Sequence, residues 1–168
     1  GYMLGHLYYA DGQNNKAFIY FDEIKDNEKY ARVVKPYYVQ LYFNDKDYDK
    51  AIVEGNSLLN ENISADYKAE VHKMIGESYF MKGDYDSAYP HLKIYLDSKA
   101  NPSESDLYEM GFVSAHLKKY DEAVSYYNQL LNSNSATSQN AYYQLGNAYL
   151  EVGKKQEALS AFRSAYQM

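Results

Sequence analysis

Residues 142–165 read YYQLGNAYLEVGKKQEALSAFRSA, and this stretch holds two helices around one turn. Leu145, Gly146 and Tyr149 precede the turn at Val152-Gly153-Lys154, while Ala158, Phe162 and Ala165 follow it at the three- and four-residue intervals of a helix face. Working outward, an alanine after a polar turn recurs at Ala17, Ala51, Ala88, Ala123 and Ala158, with spacings of 34, 37, 35 and 35 residues. A constant period of that size marks a stacked repeat array.

Other columns keep the same register. Twelve residues before the alanines stand Gly5, Val39, Gly76, Gly111 and Gly146. Three residues further come Tyr8, Tyr42, Tyr79, Ser114 and Tyr149, and four after the alanine come Phe21, Gly55, Leu92, Tyr127 and Phe162. Glycine inside a helix costs about 1 kcal/mol against alanine, so four in one column predict a close backbone approach there, with the alanine column as its partner.

These columns resemble the tetratricopeptide family, whose signature is leucine-glycine, a tyrosine three residues on, then alanine and an aromatic in a second helix. The resemblance covers essentially the whole chain. It implies an all-α fold, an α-α superhelix that winds as a right-handed solenoid of about ten antiparallel helices. The chain then forms one array over residues 1–168, with repeats at roughly 1–28, 29–63, 64–101, 102–136 and 137–168. Helices are expected at roughly 2–10, 15–26, 30–44, 48–60, 65–82, 85–98, 104–117, 121–132, 137–152 and 155–167. Pro36 and Pro90 fall inside two of them and predict local distortion, at about 3 kcal/mol for an interior proline. The register enters its first repeat partway along a helix and closes on Met168 without a polar capping helix. The expectation is a segment of a longer, bacterial repeat protein, or ends covered by a neighbour.

Composition agrees with a packed, interacting chain. Its 46% apolar content supports a continuous core, and 22 tyrosines stand beside six phenylalanines and no tryptophan. A net charge of -6 opposes nucleic acid as a partner. With no cysteine, disulfides, thiolate metal sites and cysteine nucleophiles are excluded. No apolar run is long enough to span a membrane, and Gly1-Tyr2-Met3 resembles no signal peptide, so direct membrane insertion is not expected.

Chemical motifs are lacking. His6, His72, His91 and His116 show no close metal-ligand spacing and read as structural or solvated. Asp45-Lys46-Asp47-Tyr48-Asp49 begins like a calcium loop, but Lys50 stands where the loop needs glycine and Asn56 where it needs glutamate, so capping explains these acids. The sequon Asn62-Ile63-Ser64 reads as a polar loop. Neither a phosphate-binding glycine loop nor a serine nucleophile elbow occurs. The expectation is no enzyme, no metal and no cofactor.

The resemblance also implies a binding surface, because the first helix of each hairpin lines a concave groove in that family. Its groove positions fall on Tyr2, His6 and Tyr9 in the first repeat, Gln40, Phe43 and Asn44 in the second, and Lys73, Glu77 and Phe80 in the third. Tyr108, Phe112 and His116 follow in the fourth, and Tyr143, Asn147 and Leu150 in the fifth. Aromatic side chains dominate interface hot spots, so a peptide or protein with apolar anchors is the expected partner. The family's carboxylate clamp is not reproduced, as only Lys73 and Asn147 fall in suitable places. The alternatives are a structural spacer or homo-oligomer that stacks through its end faces, and an RNA-reading repeat, which the acidic charge opposes. The cysteine-free, tyrosine- and asparagine-rich composition is compatible with bacterial cytoplasm or periplasm and leans toward an envelope-associated protein.

Overall fold

Each hairpin turns through the same backbone motif. Gly12, Lys46, Gly83, Lys118 and Gly153 occupy one column, five residues before the alanines, and all five are left-handed, with φ between 61° and 78°. The next amide in each turn donates back to the tyrosine-column carbonyl: Gln13 to Tyr8, Asp47 to Tyr42, Asp84 to Tyr79, Lys119 to Ser114 and Lys154 to Tyr149, at 2.8–3.0 Å. This is the six-to-one bond of a Schellman cap, which satisfies carbonyls that a helix end leaves open.

A computed structural model describes residues 1–167, the side chain of Ser135 excepted. Met168, where an unfinished helix end was expected, lies outside the described residues. Among them the chain is all-α: α1 (Tyr2–Ala10), α2 (Asn14–Asp22), α3 (Ala31–Asn44), α4 (Tyr48–Leu59), α5 (Ala65–Met81), α6 (Tyr85–Asp97), α7 (Glu104–His116), α8 (Tyr120–Asn128), α9 (Ser135–Glu151) and α10 (Lys155–Tyr166). Side chains open several helices by accepting from a backbone amide, as Asp47 does from Lys50 at 3.3 Å, Ser64 from Tyr67 at 3.2 Å and Ser103 from Asp106 at 3.1 Å. Asp47 is thus a cap, and the sequon serine starts α5.

Two compact units divide the chain, residues 1–91 and 92–168, with the division inside α6. In the N-terminal unit, Phe21, Val34, Tyr38 and Leu41 form one buried cluster, and Val39, Ile52, Leu58, Val71 and Ile75 form another. In the C-terminal unit α7 pairs with α8, α8 packs on α9, and α9 pairs with α10.

The structure corrects the partner of the glycine column. A β-carbon on Gly5, Gly111 or Gly146 would meet the ring of Phe21, Tyr127 or Phe162 at 2.5–2.7 Å, so the close approach is to the aromatic four residues after the alanine. The second repeat exchanges the sizes. Val39 fills the glycine column and Gly55 the aromatic one, and Ile75 of α5 closes over Gly55, 2.6 Å from where its β-carbon would stand.

Two helices end earlier than expected. Beyond Asp22 the chain tightens into three-residue bonds, Ile24 to Phe21 at 3.1 Å and Asn27 to Ile24 at 3.0 Å. Beyond Asn128, Leu130 bonds to Tyr127 in the same way. There the buried Ser138 hydroxyl is shared among the carbonyls of Leu130, Leu131 and Ser133, at 3.0–3.3 Å. The prolines do not end their helices: α3 runs over Pro36 and α6 over Pro90, each five residues after the first helical residue. Each removes one amide from the helical ladder.

Candidate functional site

Three groove candidates of the N-terminal unit converge on a residue that the repeat columns did not single out. Tyr37, on α3, gathers the three candidates of α1. His6 Nδ1 shares a hydrogen bond with the Tyr37 hydroxyl at 2.8 Å, the Tyr2 hydroxyl lies at 3.4 Å, and the Tyr9 ring meets Tyr37 edge-on at 4.9 Å. Phe21 stacks behind Tyr37 at 4.9 Å. Burial, followed by the hydrogen bond with Tyr2, pushes the Tyr37 phenol up to about 12, and burial also raises Tyr9. At neutral pH these phenols are protonated hydrogen-bond donors on an aromatic surface.

The remaining candidates of this unit are partly committed within their own repeats. Gln40 donates to Asn44 at 2.8 Å along one turn of α3. Lys73 and Glu77 form a 3.9 Å ion pair on α5. Phe43 meets Tyr48 and Phe80 meets Tyr85, both edge-on at 5.5 Å. The same contact in two hairpins makes it a repeated staple, joining the end of a first helix to the first residue of the second.

In the C-terminal unit, Tyr108 is held edge-on by Tyr127 at 5.6 Å. Phe112 and His116 pack ring on ring at 4.3 Å, and His116 Nδ1–H donates to the Phe112 carbonyl at 3.1 Å. On α9 the framework is carried by the buried Ala141, Leu145, Gly146 and Ala148, while Tyr143 and Leu150 are exposed two turns apart with half-buried Asn147 between them. Tyr143 rests its ring edge-on against Phe162 at 5.8 Å.

Sequence spacing missed a histidine pair. His72 of α5 and His91 of α6 are 19 residues apart, yet their Nδ1 atoms share a hydrogen bond at 2.8 Å, with Tyr79 stacked on His91 at 6.0 Å. Burial lowers both pKa values, helped by the Lys68 charge at His72 and by His72 at His91. A cleft of about 300 Å³ lies between the end of α2, α3 and α4. Three of its charged groups are held within it: Lys35 binds Glu61 at 2.6 Å, and the Tyr38 hydroxyl donates to the Asp22 carboxylate. No group of three metal-ligating side chains occurs among the described residues, and no described helix is long and apolar enough to cross a membrane.

Residues 104–168, which hold α7 to α10, match the family model described as Tetratricopeptide repeat. Among curated proteins no sequence matches the chain. Solved structures do. A crystal structure of MamA is similar over 98% of this chain and 93% of that one, at 18% identity and a TM-score of 0.75. The structure of MamA AMB-1 reaches a TM-score of 0.81 over 98% and 87%, at 19% identity. YrrB, described as a TPR protein with an unusual peptide-binding site, gives 0.80 over 97% and 81%, at 16% identity. At these identities the likeness is one of fold.

Proposed function

We propose that this chain, whose residues 104–168 match the tetratricopeptide-repeat model, works as a non-catalytic scaffold that holds a segment of another protein on the groove-side faces of its first helices. The observation that carries the reading is on α9. Tyr143 and Leu150 are large, apolar and exposed on a helix whose packing is already supplied by Leu145, Gly146 and Ala148. Side chains of this kind, spaced two turns apart with an amide between them, offer two anchor points and one hydrogen-bonding group to an extended or helical peptide. Phe112 and Tyr108 on α7 supply a second aromatic patch in the same unit. The peptide-binding site for which YrrB is described lends support on the same fold.

Selection from a random peptide display library with the full chain tests this. The expected outcome is binders enriched in apolar anchors, weakened about tenfold or more by Leu150→Ala and by Tyr143→Ala, a loss of at least about 1.4 kcal/mol. Circular dichroism should be unchanged for Leu150→Ala, because that side chain is exposed. Binders indifferent to both substitutions and to Phe112→Ala would overturn the assignment of the surface.

A further inference from the structure

We propose that the cleft between the end of α2, α3 and α4 is a binding site for a free α-amino acid, held by its ammonium and its carboxylate together. One side of the cleft is formed where α2 stops at Asp22, after nine residues against twelve or thirteen in α4, α6 and α10. The space left there, about 300 Å³, is of the size that small ligands occupy.

Beyond the Lys35–Glu61 pair, this lining carries charges of both signs that do not meet. Glu54 is a half-buried carboxylate on α4 with no ion-pair partner among the described residues. Lys50, one turn before it, is turned to Asp47 at 3.6 Å instead. Arg32, in the first turn of α3, and Lys25, just beyond α2, line the same cleft and are likewise in no ion pair among the described residues. Burial raises the pKa of both Tyr38 and Tyr42, and the charges of Asp22 and Glu54 raise both further, so the two carboxylates stand beside the same two phenols.

A charge withdrawn from water without a partner is costly, and a ligand that supplies the partner recovers that cost. An ammonium group beside Glu54 and Asp22 provides the missing cation, and the face of the Tyr42 ring favours it as well. The ligand's carboxylate then falls to Arg32, whose guanidinium suits a planar anion. Four carboxylates against three cations in the lining favour neither a polyanion nor a polyamine. A zwitterion answers both sets of unpaired charges at once. The site lies on α2, α3 and α4, so it does not depend on the peptide-binding face of α9.

Isothermal titration calorimetry of the full chain against the standard L-amino acids tests the proposal. At least one should bind with a Kd of about 1 mM or tighter. Its decarboxylated amine and its deaminated acid should each bind about tenfold more weakly or worse, because each keeps half of the recognition. Glu54→Gln and Arg32→Gln should each weaken the amino acid about tenfold with unchanged circular dichroism, while Leu150→Ala should bind it as the unaltered chain does. No amino acid bound at the expected level would overturn the proposal. So would binding that either cleft substitution leaves unchanged, and so would an amine that binds as tightly as its parent amino acid, which would make the cleft a site for organic cations.

Discussion

A β-carbon built on Gly111 would stand 2.7 Å from Cε1 and 2.8 Å from Cζ of Tyr127. The ring has nowhere to withdraw, being buried in the C-terminal unit. The glycine is therefore required by the aromatic ring that lies across the hairpin, and its cost in helix propensity is offset by that packing.

Gly111→Ala should consequently destabilise the chain. The overpacking cost of about 1–3 kcal/mol exceeds the roughly 1 kcal/mol gained in helix propensity only where the ring is held. Gly146→Ala should be milder, because Phe162 is half-buried and can turn aside. Urea unfolding of the two variants gives the ranking; equal effects would show that ring burial does not decide the matter.

Tyr127→Phe should be neutral or stabilising. The Tyr127 hydroxyl is buried with no hydrogen-bond partner among the described residues, and burial pushes its pKa up. An unpaired buried hydroxyl costs about 1–3 kcal/mol, and the substitution removes it while keeping the ring over Gly111. Thermal melting should show a midpoint equal to or above that of the parent.

Lys118→Gly should stabilise. Lys118 sits at φ 61° in the turn column where Gly12, Gly83 and Gly153 stand in three other repeats. A left-handed L-residue costs about 1–2 kcal/mol, of which glycine's greater unfolded-state freedom cancels about 0.5–1 kcal/mol. Gly153→Ala should move the other way. Denaturant midpoints measured in parallel check both signs.

Stability should fall on acidification through the range below about pH 6.5, the ordinary histidine value. Burial depresses both His72 and His91 in the folded chain, with Lys68 adding to the effect at His72. The unfolded chain then binds more protons in that window, so the contribution is complete above the unfolded pKa and is lost as pH drops. The shared Nδ1 hydrogen bond also needs one neutral ring to accept, which double protonation removes. His72→Gln with His91→Gln should flatten the dependence of the urea midpoint between pH 7.5 and 5; an unchanged slope would locate the proton uptake elsewhere.

Much of the fold was legible because small and large residues must alternate at fixed intervals for hairpins to stack. The alanine, glycine and aromatic columns placed ten helices, with α2 and α8 the two whose ends were overestimated. Those ends are set by three-residue bonds and, for α8, by Ser138, a residue in the next helix. The partner of the glycine column was misread, since a spacing in sequence says that something comes close and not which residue it is. The candidate surface was legible as a list of positions, but not as an arrangement. Tyr37 was absent from that list although it binds three of its members, and Phe43 and Phe80 proved to pack on Tyr48 and Tyr85.

By itself, the sequence determined that this chain is a series of helical hairpins. Helix period, turn chemistry and side-chain size are local properties that repeat every 34 to 37 residues. Only the tertiary structure decided which equivalent residues are covered, pairing His72 with His91 and closing Tyr127 over Gly111 and Ile75 over Gly55. Burial depends on what stands beside a residue in space, and a column of identical positions carries no record of its neighbours.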